Sequence, residues 1–115
     1  MEEKTEALSS KVTATVDGRE CVFYLSGELD HHSVREIREV IDGRLVDERP
    51  ERVIMDLKDV TFTDSAGLGL VLGRYTRIKD SGGSLALVNV PPQFMKILTL
   101  SGAGRLFEIK PYTKR

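Results

Sequence analysis

Val53-Ile54-Met55-Asp56-Leu57, then Lys58-Asp59-Val60-Thr61-Phe62-Thr63, then Asp64-Ser65-Ala66-Gly67-Leu68-Gly69-Leu70 run on without a break, and their order decides the fold. The first piece is a short apolar run of the kind that forms a buried strand. The second is expected to be a short connection, and the third opens a helix. Ser65 thus falls at a helix N-terminus, where free backbone N–H groups and the positive end of the helix dipole tolerate a phosphate. No base or oxyanion machinery accompanies it, so Ser65 has the setting of a substrate and not of a catalyst.

Working outward, Leu68, Val71, Leu72, Tyr75 and Ile78 keep helical spacing to about Asp80, and Ser81-Gly82-Gly83 stops the helix. Ser84 to Val88 is the next strand. Pro91-Pro92 starts a third helix carrying Phe94, Ile97 and Leu98, which Gly102 ends. Arg105 to Ile109 is expected as the last strand. On the N-terminal side, Val12, Ala14 and Val16 alternate with Lys11, Thr13 and Thr15, and Asp17-Gly18 signals a hairpin into Arg19–Ser26. Cys21 to Leu25 is apolar on both faces, as in a central strand, and Gly27 is expected to end it. Ser33 and Glu36 have capping-box spacing before a stripe of Val34, Ile37, Ile41 and Leu45, widened by Val40. Pro50 closes that helix.

The order ββαβαβαβ predicts a single α/β domain with a mixed sheet, an antiparallel opening hairpin and helices packed on it. Residues 1–10 are expected to be a flexible polar N-terminus, 11–109 the domain, and 110–115 a polar tail. The chain of 115 residues suffices for one core. Its net charge of −1 argues against a nucleic-acid or anionic-membrane binder. The acidic start lacks an apolar signal core, no run is long enough to span a bilayer, and a lone cysteine excludes an intrachain disulfide. A cytoplasmic protein is the expectation.

Each candidate has a dull counterpart. Ser65 could simply be a helix-start serine, but Asp64 is available as the cap. Gly67, Gly69 and Gly73 each cost about 1 kcal/mol against alanine inside a helix, so something approaches this backbone closely, either the sheet or a partner. They miss the dinucleotide fingerprint by one residue, and no phosphate loop exists. Thr63-Asp64-Ser65-Ala66-Gly67 lacks the first glycine of a nucleophile elbow, and His31 and His32 lie upstream of the serine. Those two histidines have no third ligand for zinc. Cys21 belongs in the core. Asp56, at the end of an apolar strand, raises a receiver-type domain phosphorylated on aspartate, although the opening hairpin does not suit that strand order.

Two separated runs carry a resemblance. Gly27-Glu28-Leu29-Asp30-His31-His32 and Phe62-Thr63-Asp64-Ser65-Ala66-Gly67-Leu68-Gly69-Leu70-Val71-Leu72-Gly73-Arg74-Tyr75 resemble the signature regions of the anti-sigma factor antagonists of the STAS domain family. Within it, the sporulation branch directed at anti-sigma F factors has the same Gly-Glu-Leu-Asp-His-His and Leu-Gly-Arg-Tyr runs. The likeness continues through Gly82-Gly83 and Leu100-Ser101-Gly102. It implies a non-enzymatic protein without cofactor or metal, whose serine after the motif aspartate, Ser65, is phosphorylated by the anti-sigma factor. That partner is a serine kinase that brings the ATP site. Unphosphorylated, such a protein binds the kinase and frees the sigma factor; a metal-dependent phosphatase resets it. Asp30 matches a kinase-contacting position, with Glu28, His31, Asp64, Leu68 and Gly69 in the same surface. Ala66 stands where relatives often carry a second serine, and the tail after Ile109 is shorter than in many of them. A STAS adaptor that is never phosphorylated is the alternative.

Overall fold

In a computed structural model, which describes residues 3–113, the strands of one six-stranded sheet lie side by side in chain order. They are β1 (Lys4–Ala7), β2 (Val12–Asp17), β3 (Glu20–Leu29), β4 (Arg52–Thr63), β5 (Ser84–Val90) and β6 (Glu108–Pro111). The first three pair antiparallel, and β3 to β6 pair parallel. The crossovers are α1 (Val34–Glu48), α2 (Ser65–Asp80) and α3 (Pro92–Ser101), the last followed by a 3₁₀ turn at Ala103–Arg105. With strands in chain order, right-handed crossovers put all three helices on one face. The core lies between them and the sheet, with Phe23, Leu25, Met55, Leu57, Leu87 and Phe94 fully buried. The alternate residues Val22, Tyr24, Ile54, Asp56 and Val88 face away from the helices and keep some exposure. The expected single α/β domain with a mixed sheet is therefore present, with one strand more than expected at its start.

That strand, β1, lies in the stretch expected to be a frayed N-terminus. All its residues are exposed, and it pairs Lys4 with Val16 and Ala7 with Thr13. The hydroxyls of Thr5 and Thr15 meet at 3.1 Å. An edge strand with no buried side leaves no hydrophobic alternation to find. Met1, Glu2, Lys114 and Arg115, which the expected N-terminus and tail include, lie outside the described residues.

The expected connection Lys58–Thr63 is strand as well. Its Val60 and Thr63 are buried, and it pairs with a β3 that continues through Gly27 to Leu29. Gly27 does not end β3; its φ of +84° lies among register shifts that bend the ribbon. The β2–β3 turn centres on Gly18-Arg19, since Asp17 pairs with Glu20. The last strand starts later than Arg105, because Ala103–Arg105 forms the 3₁₀ turn and Phe107 packs inward beside Tyr75, ring centroids 5.3 Å apart.

α1 buries Ile37, Ile41 and Leu45, as the stripe predicts. The face of α2 is rotated from the expectation: Gly67, Leu70, Val71, Arg74 and Ile78 are buried, with Leu68, Leu72 and Tyr75 at its margins. Arg74 is paired across to α1, its Nε 2.8 Å from Asp42 Oδ1. The two atoms are close, but not aligned for a hydrogen bond.

Candidate functional site

The two signature runs meet because of strand register. Leu29 at the end of β3 pairs with Thr63 at the end of β4, so Asp30 and Asp64 leave the sheet side by side. The Asp64 N–H points at the Leu29 carbonyl, 3.4 Å away. One rung back, Glu28 pairs with Phe62. Both segments then enter helices, α1 after Asp30 and α2 after Asp64.

At the start of α2 the cap is Asp64. Its backbone is extended and its Oδ1 accepts the Ala66 N–H at 2.8 Å. Ser65 is the first helical residue; it is exposed, and its hydroxyl makes no hydrogen bond among the described residues. Behind it, Gly67 explains one of the three glycines. A Cβ there would stand 2.2 Å from Thr63 Oγ1 and 3.2 Å from Leu29 Cβ, so the close approach is to the sheet ends. A Cβ at Gly69 or Gly73 would meet nothing within 4 Å, and Gly69 is exposed beside a half-buried Leu68.

The turn into α1 is built differently from the expected capping box. Ser33 makes no side-chain cap bond. Its hydroxyl donates to the Glu28 carbonyl and accepts the Asp30 N–H at 3.2 Å. The cap role passes to Asp30, whose Oδ1 accepts the N–H groups of Ser33 at 2.9 Å and His32 at 3.0 Å. The Ser33 N–H, more than any other contact, holds the Asp30 carboxyl below the usual carboxylate range. Glu36 stays exposed. His31 and His32 stack against each other, ring centroids 4.1 Å apart, and both face solvent.

Glu28, Asp30, His31, Asp64, Leu68 and Gly69 thus lie on the two strand-to-helix junctions that also carry Ser65. Two neighbours escaped the sequence. Lys11 of the β2 start reaches Glu28, Nζ to Oε1 3.4 Å, a partnership between distant residues with no local signal. Phe62 is 43% exposed although aromatic. Its outward direction follows from the buried Thr63 next to it; strict alternation from the buried Val60 would put Phe62 inward, and the register shifts in the β3–β4 pairing break that alternation. Asp56 is elsewhere: it sits in mid-strand, not at a strand end, and accepts from Lys58 N–H at 3.0 Å and Asn89 Nδ2 at 3.1 Å. The sheet order also departs from that of receiver domains, in which the strand order reverses. Among the described residues no three His, Cys, Asp or Glu side chains are grouped to hold a metal, and no helix is long and apolar enough to cross a membrane.

The family model for the STAS domain matches residues 11–114. The chain belongs to the STAS domain family. A similar protein is the anti-sigma F factor antagonist of Paenibacillus polymyxa, 41% identical over 87 residues that span 76% of this chain and 72% of the relative. Among solved structures, the anti-sigma factor antagonist SpoIIAA in its unphosphorylated form superposes with a TM-score of 0.68 at 28% identity, over 97% of this chain and 90% of SpoIIAA. The phosphorylated form of SpoIIAA, the Bacillus cell fate determinant, superposes with a TM-score of 0.67 at 30% identity, over 94% and 90%. The resemblance carried by the two signature runs is therefore to the right family and the right branch of it. STAS antagonists of this kind are regulatory binding proteins, not enzymes.

Proposed function

We propose that this STAS domain is an anti-sigma factor antagonist whose switch is Ser65. Unphosphorylated, it binds an anti-sigma factor that is also a serine kinase, and so frees the sigma factor, in a sporulation-type circuit. Phosphorylation of Ser65 ends the complex, and a metal-dependent phosphatase restores it. The partner surface is formed by Glu28, Asp30, His31, Asp64, Leu68 and Gly69. The carrying observation is the division of labour at α2: Asp64 caps the helix, and the exposed Ser65 hydroxyl has no structural duty.

The physics favours a switch at the interface over one in the fold. A phosphoserine adds a charge of about −1.5 to −2. The α2 N-terminus tolerates that charge, so the helix survives. Buried against a partner, the same charge suffers desolvation, and Asp30 and Asp64 at the same sheet edge add repulsion. Weakening the complex several-hundredfold takes only about 3–4 kcal/mol.

The test is incubation with an anti-sigma factor kinase and magnesium-ATP, followed by intact mass and peptide mapping. One phosphate on Ser65, none on Ser65→Ala, and loss of binding only for the phosphorylated wild type is the expected result. Binding without phosphate would identify an unphosphorylated adaptor. A label released by hydroxylamine would move the site to an aspartate.

A further inference from the structure

A cleft lies at the opposite end of α2 from Ser65, about 24 Å along a 16-residue helix. It opens between the C-terminal turns of α1 and α2 and encloses about 440 Å³, within the roughly 300–1,000 Å³ range of small-ligand sites. Leu45 and Ile78 form its floor, Val46 and Pro50 its wall, and Arg49 and Arg77 its rim. Val46 is 54% exposed, an apolar side chain left beside an apolar floor.

Arg49 is the odd member. It holds the left-handed conformation, φ 45° and ψ 54°, where glycine is the residue adopted at least cost. Its guanidinium has no carboxylate within ion-pair distance among the described residues. Arg77 reaches Asp42 only at 3.9 Å, while Asp42 is held closer by Arg74 at 2.8 Å. Nearby acids do not cancel the rim: Glu48 pairs with Arg44 at 3.5 Å, and Asp47 and Asp80 are exposed and outside the lining. The two helix C-termini bring only about half a negative charge each, against a full positive charge on each arginine.

The geometry points to a binding site for a small anionic amphiphile: an apolar chain on Leu45, Val46 and Ile78, with a carboxylate or similar head between Arg49 and Arg77. Such a ligand leaves the Ser65 end free, so the site stands or falls independently of the switch.

The test is ¹⁵N NMR titration of the whole chain with sodium decanoate, with decanol as the uncharged control. Saturable shifts centred on Val46, Arg49 and Ile78 are expected, with decanol binding more weakly. Arg49→Gly should melt no lower than wild type, because glycine suits the backbone there, yet bind decanoate roughly fivefold more weakly. Absence of saturation by about 5 mM, shifts centred elsewhere, equal binding of decanol, or unchanged affinity in Arg49→Gly would each overturn the assignment.

Discussion

The two helix entrances use the same residue types to opposite ends. At α1, Asp30 and Ser33 are both consumed: the carboxylate takes two N–H groups, and the hydroxyl, buried, links Glu28 to Asp30. At α2, Asp64 alone does the capping, and Ser65 is spare. A serine that closes a turn cannot be modified without opening it. One that is exposed and idle can be modified without structural cost. The difference lies in chain placement: Ser33 follows its aspartate by three residues and folds back under the loop, whereas Ser65 follows by one and points out along the helix start.

The contrast between the entrances is tested most severely at Gly67, the residue that lets α2 start so close to the sheet. Gly67→Ala puts a methyl into Thr63 and Leu29 and should cost about 2 kcal/mol even after the gain in helix propensity, whereas Gly73→Ala, facing open space, should stabilise by up to about 1 kcal/mol. Paired denaturant melts decide it; equal effects would mean that Gly67 is not needed for the close approach. Next in size are the two serines. Ser33→Ala strands the Asp30 N–H and the Glu28 carbonyl and should cost about 1–2 kcal/mol, while Ser65→Ala should change stability by less than about 0.5 kcal/mol. Urea midpoints of both variants would show it, and a Ser65→Ala loss as large as that of Ser33→Ala would end the distinction.

Asp64→Ala removes the α2 cap and should cost about 1 kcal/mol, with amide exchange accelerating first at Ala66. The smallest effect concerns pH. Asp30 titrates below its unfolded value, so its contribution is complete above that unfolded value and is lost as pH falls through the lowered folded one. A carboxyl NMR titration should find Asp30 still ionised under acid conditions that protonate ordinary carboxylates. The His32 and Ser33 amides should shift with it. An ordinary midpoint would show that Ser33 does not hold it.

Much of this was legible in the sequence, and the misses share a cause. The stripe of α1, the proline start and glycine stop of α3, and the apolar halves of β3, β4 and β5 rest on local periodicity, and they stand. The Lys58–Thr63 segment was opaque because its inward positions, Val60 and Thr63, fall three residues apart and not two, and because it is strand by pairing with the end of β3. Lys4–Ala7 was opaque because an exposed edge strand is held by backbone bonds to β2 and buries no side chain. Ser33 looked like a cap because its spacing to Glu36 fits one. The nearby Glu28 carbonyl, placed by the extended β3, took its hydroxyl instead.

Local sequence was enough for the one-domain α/β order, for the family through its two signature runs, and for Asp64 and Ser65 as the cap and the helix start. These depend on neighbours a few residues apart, where spacing dictates geometry. Tertiary packing was needed to bring Asp30 and Asp64 out together, to set Gly67 against the sheet while Gly69 and Gly73 stand clear, to bury Arg74 beside Asp42, and to carry Lys11 to Glu28. Each depends on the register of one strand or helix against another, a property set by packing between segments that no single stretch of chain contains.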